Sequence, residues 1–175
     1  MGKIIIVNII RFIVVILLQV VLFKNMGYYN MATAYPYIFF IFLLPIGLPN
    51  LLLFVISFLT GLTIDAFYDS VGVHAAACVG LALFRIFFHQ ITVEVDMKDS
   101  FHTPSLGGMG FKWFLSYAFF GTFVHHFFLF LIETFTFSNF LYTLASIVLS
   151  SIFTTCVLML MSLLVYKRKS RIGNI

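Results

Sequence analysis

Six apolar runs alternate with polar turns along this chain. The first covers residues 4–23, about the twenty residues an α-helix needs to cross the hydrocarbon layer. The second, 36–46, is short and bounded by Pro36, Pro45 and Pro49; proline is tolerated where a helix starts and stops it further on. The third and fourth, 50–67 and 71–89, flank a short polar turn. The fifth and sixth cover 111–133 and 139–166, and the last is long enough to tilt. Residues 91–110 form the longest polar segment, with Glu94, Asp96, Lys98, Asp99, His102 and Pro104, and read as a solvated loop. The pattern predicts an all-α fold, a polytopic transmembrane bundle of six helices in one domain spanning 1–175. The alternative merges 37–59 into one kinked span, which gives five helices and termini on opposite sides.

Charge placement favours six. With six spans both termini share a side, and the Lys/Arg distribution decides which side is cytoplasmic. Lys3, Lys98, Lys112 and the tail residues Lys167, Arg168, Lys169 and Arg171 then lie together, against Lys24 alone opposite. Both termini are therefore expected in the cytoplasm. Composition agrees with a bilayer solvent: the chain is 62% hydrophobic and 9% charged, where a soluble domain carries about a quarter charged residues. The net charge of +4 does not point to nucleic acid. The basic residues flank apolar runs, where they orient spans and meet anionic lipid. The first run is too long for a signal core and no small-residue cleavage motif follows it.

Polar groups inside the runs are the candidates for function, because ionisable groups at membrane depth are costly. In the first run Asn8, Arg11 and Gln19 fall within an arc of about 80°. Such a stripe faces protein, either this chain's own bundle with Arg11 reaching the surface, or a partner subunit. Residues 60–85 hold two of the six acids, Asp65 and Asp69. They also hold Gly72, Ala76 and Gly80, which on one helix would stack on a face and admit a neighbouring backbone. Asp65 follows Gly61 by one turn, so a close neighbour would meet a buried acceptor there. On that reading Ala76→Leu or Gly72→Leu weakens assembly without abolishing insertion. Arg85 lies near an inner helix end, where a cation suits the helix dipole.

His74, His125, His126 and Glu133 fall on the same half of the bundle as Asp65, and carboxylates with histidines can bind metal or relay protons. The spacings do not support that chemistry. There is no HExxH, the adjacent histidines point about 100° apart, and His74 with Cys78 makes only two ligands. No GxSx serine or phosphate-binding glycine loop is present. Cys78 and Cys156 are expected to be small, buried, reduced packing residues. No catalytic, cofactor-binding or metal residue is expected.

The run from Gly61 to Arg85 resembles the MreD family of bacterial rod shape-determining membrane proteins, in particular its Bacteroidetes members. The Gly-x-x-x-Asp element is Gly61 and Asp65. The start of the next span, Gly72, His74, Ala75, Ala76, Ala77 and Cys78, and the later Arg85 match that subgroup. The proline-bounded short run agrees too. The resemblance covers residues 36–85 most specifically and the second half only in hydropathy. It implies a non-enzymatic subunit of the cell-elongation machinery in the bacterial inner membrane. It also implies association with the bitopic protein MreC and, through it, with MreB, RodA and a class B penicillin-binding protein. The fold it implies is similar to the substrate-binding subunits of vitamin importers of the energy-coupling-factor type. On it, Gly61, Asp65 and Gly72 serve structure or partner contact. The alternative function is an importer subunit with Asp65, His126 and Glu133 around a small molecule. A first helix without alanine, crowded with Ile, Val and Leu, counts against that.

Overall fold

The computed structural model describes residues 2–26, 32–94, 102–134 and 140–165, and every regular element among them is helical. Helix α1 (Gly2–Leu18) runs into a wide π-helical turn, Gln19–Phe23. A 3-10 turn, Pro36–Ile38, leads into α2 (Phe39–Phe42). Then come α3 (Asn50–Tyr68), α4 (Val73–Thr92), the single turn α5 (Leu106–Met109), α6 (Phe111–Thr134) and α7 (Phe140–Leu164). Five helices are long and apolar enough to cross a membrane: Ile4–Phe23, α3, α4, α6 and α7. Their outward faces carry exposed Ile6, Ile10, Leu17, Leu51, Leu141 and Leu160. Such surface is stable against lipid and not against water. Within the polar segment 91–110, residues 95–101 lie outside the described residues.

The expected second span differs most. It contracts to α2 and its preceding turn, and every residue from 34 to 45 is buried. Pro36 fixes the start and Pro45 removes the donor that would carry the helix on. One helical turn satisfies few of its own main-chain groups, and lipid offers no partners for the rest. Such a segment is stable at membrane depth only when wrapped in protein.

The wrapping follows from the direction of the helices. Gln19 Nε2 donates to the Tyr68 hydroxyl at 2.6 Å, and Lys24 Nζ to the Phe67 carbonyl at 2.5 Å. The C-terminal ends of α1 and α3 therefore lie together, and these helices run parallel. The inner segment returns the chain from the end of α1 to the start of α3. Around it, α3 packs on α4, α4 on α6 and α6 on α7, while α1 rests on the inner segment itself. The face of α7 toward α6 carries buried Ser151, Thr154, Thr155 and Leu158. These mostly small side chains let the helices approach and bond: Thr122 and Thr155 hydroxyls meet at 2.9 Å.

Candidate functional site

Both ends of the inner segment are capped by side chains from other helices. At its start, Tyr37 N–H donates to Gln19 Oε1 at 3.4 Å and Tyr35 N–H to Thr154 Oγ1 at 3.2 Å. At its end, Arg85 Nη1 donates to the Ile41 carbonyl at 2.7 Å. Arg85 Nη2 donates to the carbonyls of Leu44 and of Pro45, the latter at 2.8 Å. Arg11 Nη1 donates to the Leu43 carbonyl at 3.0 Å and to Asn8 Oδ1 at 2.8 Å. Two cations thus sit at the C-terminal end of this one-turn helix, on the carbonyls of Ile41 in its last turn and of Leu43, Leu44 and Pro45 just after it, the end at which its dipole favours positive charge. Of the polar stripe, Gln19 is buried and Arg11, half-buried, bonds the inner segment, while Asn8 sits at the edge of an open cleft. Arg85 caps α2, not its own helix.

A second cap locks α3 to α4. Asp65 Oδ1 accepts from His74 N–H at 3.0 Å and from the Ser70 hydroxyl at 2.6 Å, and Oδ2 accepts from Ala75 N–H at 3.0 Å. His74 Nδ1 lies 3.0 Å from Oδ1. A carboxylate on one helix therefore closes the N-terminus of the next, where N–H groups lack partners and the dipole favours negative charge. Gly61, one turn earlier, makes this possible. A Cβ there would run into the His74 carbonyl and the Ala75 backbone, 2.6 Å from Ala75 N. Gly61 and Asp65 thus form one unit, as the spacing predicts.

The expected face of Gly72, Ala76 and Gly80 does not form. Gly72 is the residue before α4, with φ of +79°, and a Cβ there meets nothing within 4 Å. It serves the turn, together with Asp69 at φ of +54°. Ala76 is exposed, while Gly80 is buried against the Phe128 ring. The glycine that admits a neighbouring backbone is Gly61 instead, and the residue of α4 that faces it is Ala75, not Ala76.

Beyond Asp65 lies a buried core of rings. The Tyr37 hydroxyl and His125 Nε2 are 2.7 Å apart, and Cys78 Sγ faces the same hydroxyl at 3.6 Å. His126 Nδ1 lies 2.7 Å from the Thr122 carbonyl and its Nε2 3.2 Å from Thr154 Oγ1. The Tyr35 ring centre is 5.6 Å from that of His74 and 5.5 Å from that of His126, so it fills the space between them. Among the described residues no three His, Cys, Asp or Glu side chains converge as metal ligands. Both cysteines are free thiols; Cys78 is buried, but Cys156, expected to be buried, is exposed because it lies on the side of α7 away from the Ser151, Thr154, Thr155 and Leu158 face.

One surface is left open. Above the inner segment α1 and α3 diverge into a cleft of roughly 450 Å³. Ile5, Ile9 and Phe12 line one wall, Ile56 and Leu59 the other, and Phe40 the floor. Its few polar side chains are already bonded within their helices, Asn8 to the Ile4 carbonyl, Thr60 to that of Ile56 and Thr63 to that of Leu59. The cleft therefore presents hydrocarbon.

Comparisons with protein-family models, with curated proteins and with solved structures find no match. The site is thus described by its own geometry. Sequence reasoning did not identify Tyr37, Thr154, Gly121 or Tyr117, whose hydroxyl donates to the Phe42 carbonyl at 3.4 Å, as parts of it. Gly121 was legible only as a glycine within an apolar run. A Cβ there would lie 2.5 Å from the Phe42 ring, so it marks where α6 meets the inner segment.

Proposed function

We propose that this protein is a membrane scaffold of the MreD type, not an enzyme. On this reading it organises lateral wall synthesis in the bacterial inner membrane by holding the single transmembrane helix of an MreC-type partner. The observation that carries the reading is the cleft between α1 and α3. It is open at the surface of the bundle, it is apolar, and the polar groups of its walls are already bonded. A partner helix seated there gains packing, and an interhelical contact in lipid is worth roughly 0.6–2 kcal/mol. Asp65, Arg85, Arg11 and Gln19 hold the bundle together, a role that fits a scaffold. The importer reading is the weaker one, because the Tyr35 ring occupies the region where Asp65 and His126 would meet a small molecule.

Six crossings with both termini in the cytoplasm fit the same reading. What supports them is the parallel course of α1 and α3, which makes the inner segment a return passage, and the Lys/Arg asymmetry of the polar segments. The test of function is co-purification. Ile9→Trp and Leu59→Trp fill the cleft from opposite walls and are expected to reduce recovery of the MreC-type partner while leaving the protein in the membrane. Full recovery of the partner with both variants refutes docking in the cleft.

A further inference from the structure

A second cavity, of roughly 280 Å³, lies between the end of α7, the inner segment and α1. Arg11, Ser105 and Ser162 bring polar groups to it, and Phe39, Leu106 and Val165 give it apolar walls. Arg11 is half-buried, and no carboxylate pairs with it among the described residues. Its bonds to the Leu43 carbonyl and to Asn8 Oδ1 both leave from Nη1. The donors of Nη2 and Nε therefore have no acceptor among the described residues, and that edge of a guanidinium is shaped to hold an oxyanion. Ser162 is buried at 5% exposure, and its hydroxyl makes no hydrogen bond among the described residues. A buried hydroxyl without a partner is costly unless something else meets it. Ser105 stands before α5, and its side chain does not cap that turn.

An unused guanidinium edge and an unpartnered hydroxyl on one cavity are complementary to an oxyanion with several acceptors. The apolar walls suit an anion that carries hydrocarbon. Ser162 and Val165 bracket Leu164, the last residue of a membrane-crossing helix, and basic pockets between helices at that level take lipid headgroups. The sequence continues past Val165 into Lys167, Arg168 and Lys169, and a basic cluster directly beyond a span draws anionic lipid to that end. The volume falls just short of the range of about 300–1,000 Å³ that takes a whole drug-sized molecule, so it suits a headgroup and not the acyl chains. We propose that this cavity binds the phosphate of an anionic phospholipid, with Arg11 and Ser162 as its side-chain ligands and Ser105 as a further donor. Arg11 thus serves two sides at once, holding the inner segment through Nη1 and the lipid through Nη2 and Nε.

The experiment uses full-length protein, purified and delipidated in detergent. It is titrated with phosphatidylglycerol, with phosphatidylcholine, whose choline cancels the phosphate charge, and with glycerol 3-phosphate, which has no chains. Binding is read by native mass spectrometry and by melting temperature. Ser162→Ala removes one hydroxyl and Ser162→Leu fills the cavity; both leave the Arg11 bonds and the basic tail in place, so both are expected to fold. The expected result is binding of phosphatidylglycerol in preference to the other two. It is weakened about tenfold in Ser162→Ala, as for loss of one hydrogen bond to a charged group, and more in Ser162→Leu. Arg11→Gln is expected to abolish the preference for phosphatidylglycerol over phosphatidylcholine. Absence of phosphatidylglycerol binding overturns the proposal, and so does tighter binding of glycerol 3-phosphate, which would make the ligand a soluble phosphate. Equal binding by wild type and Ser162→Leu also overturns it, because the tail alone would then draw the lipid.

Discussion

Replacing Arg85 with Met isolates the role of the buried guanidinium, since it retains much of the side-chain volume and removes every donor. Three carbonyls, of Ile41, Leu44 and Pro45, then lose their partner. An unpaired buried acceptor costs about 1–3 kcal/mol, so the three together cost about 3–9 kcal/mol. Two effects reduce this. Removing a buried charge recovers its desolvation penalty, and a cavity beside Pro45 admits water to that carbonyl. The net expectation is a loss of about 3–5 kcal/mol, as for breaking a buried charged pair. At about 2–4 °C per kcal/mol for a chain of this size, melting falls by on the order of 10 °C. Arg85→Lys keeps the charge but not the fork that reaches several carbonyls, and is expected to lose about half as much. The assay is thermal unfolding of purified protein in one detergent, followed by the fluorescence of Trp113, the chain's single tryptophan. A Met variant melting within about 2 °C of wild type would refute the capping argument.

Gly61→Ala places a methyl against backbone that cannot give way. It is expected to destabilise by about 1–3 kcal/mol, measured by the same melt; an unchanged melting temperature would show that α3 and α4 are not held at that point. Asp65→Ala removes the acceptor for two buried N–H groups and is expected to cost about 2–4 kcal/mol. Asp65→Asn should lose less, and equal melting of the Ala variant and wild type would count against the cap. Gly72→Leu forces a branched side chain into a positive φ and is expected to lower melting by about 1–2 kcal/mol, whereas exposed Ala76→Leu should melt within about 0.5 kcal/mol of wild type. If the partner sits in the cleft, Ala76→Leu also retains it, and loss of the partner in that variant would move the docking surface to α4.

The long spans were legible because their signal is local. Twenty apolar residues between polar turns fix a membrane helix whatever surrounds it, and all five long helices start and stop within three residues of expectation, the largest offset being 89 against Thr92. Gly61 and Asp65 were legible for a similar reason, since one turn separates them and both act on the adjacent helix. The inner segment was only half legible. Its prolines announced a short element, but its depth is set by partners 18 to 119 positions away, Gln19 and Thr154 among them. Gly72, Ala76 and Gly80 misled because their spacing assumes that the helix already includes Gly72. Gly72 instead stands before α4 at positive φ, and of the other two Ala76 is exposed while Gly80 is buried. The destinations of Arg11 and Arg85 were hidden because main-chain carbonyls leave no mark in a sequence. A cation with no acid nearby resembles an orienting charge until the fold shows the carbonyls it meets.

The most direct test of the scaffold account is a cross-link in the membrane. A photoreactive residue at Ile9 or Leu59, inside the cleft, and at Leu141, exposed on α7, is introduced in cells that also make the MreC-type partner. The account predicts an adduct with the partner's transmembrane helix from the two cleft positions and none from Leu141. An adduct from Leu141 alone, or none from either cleft position, would contradict it.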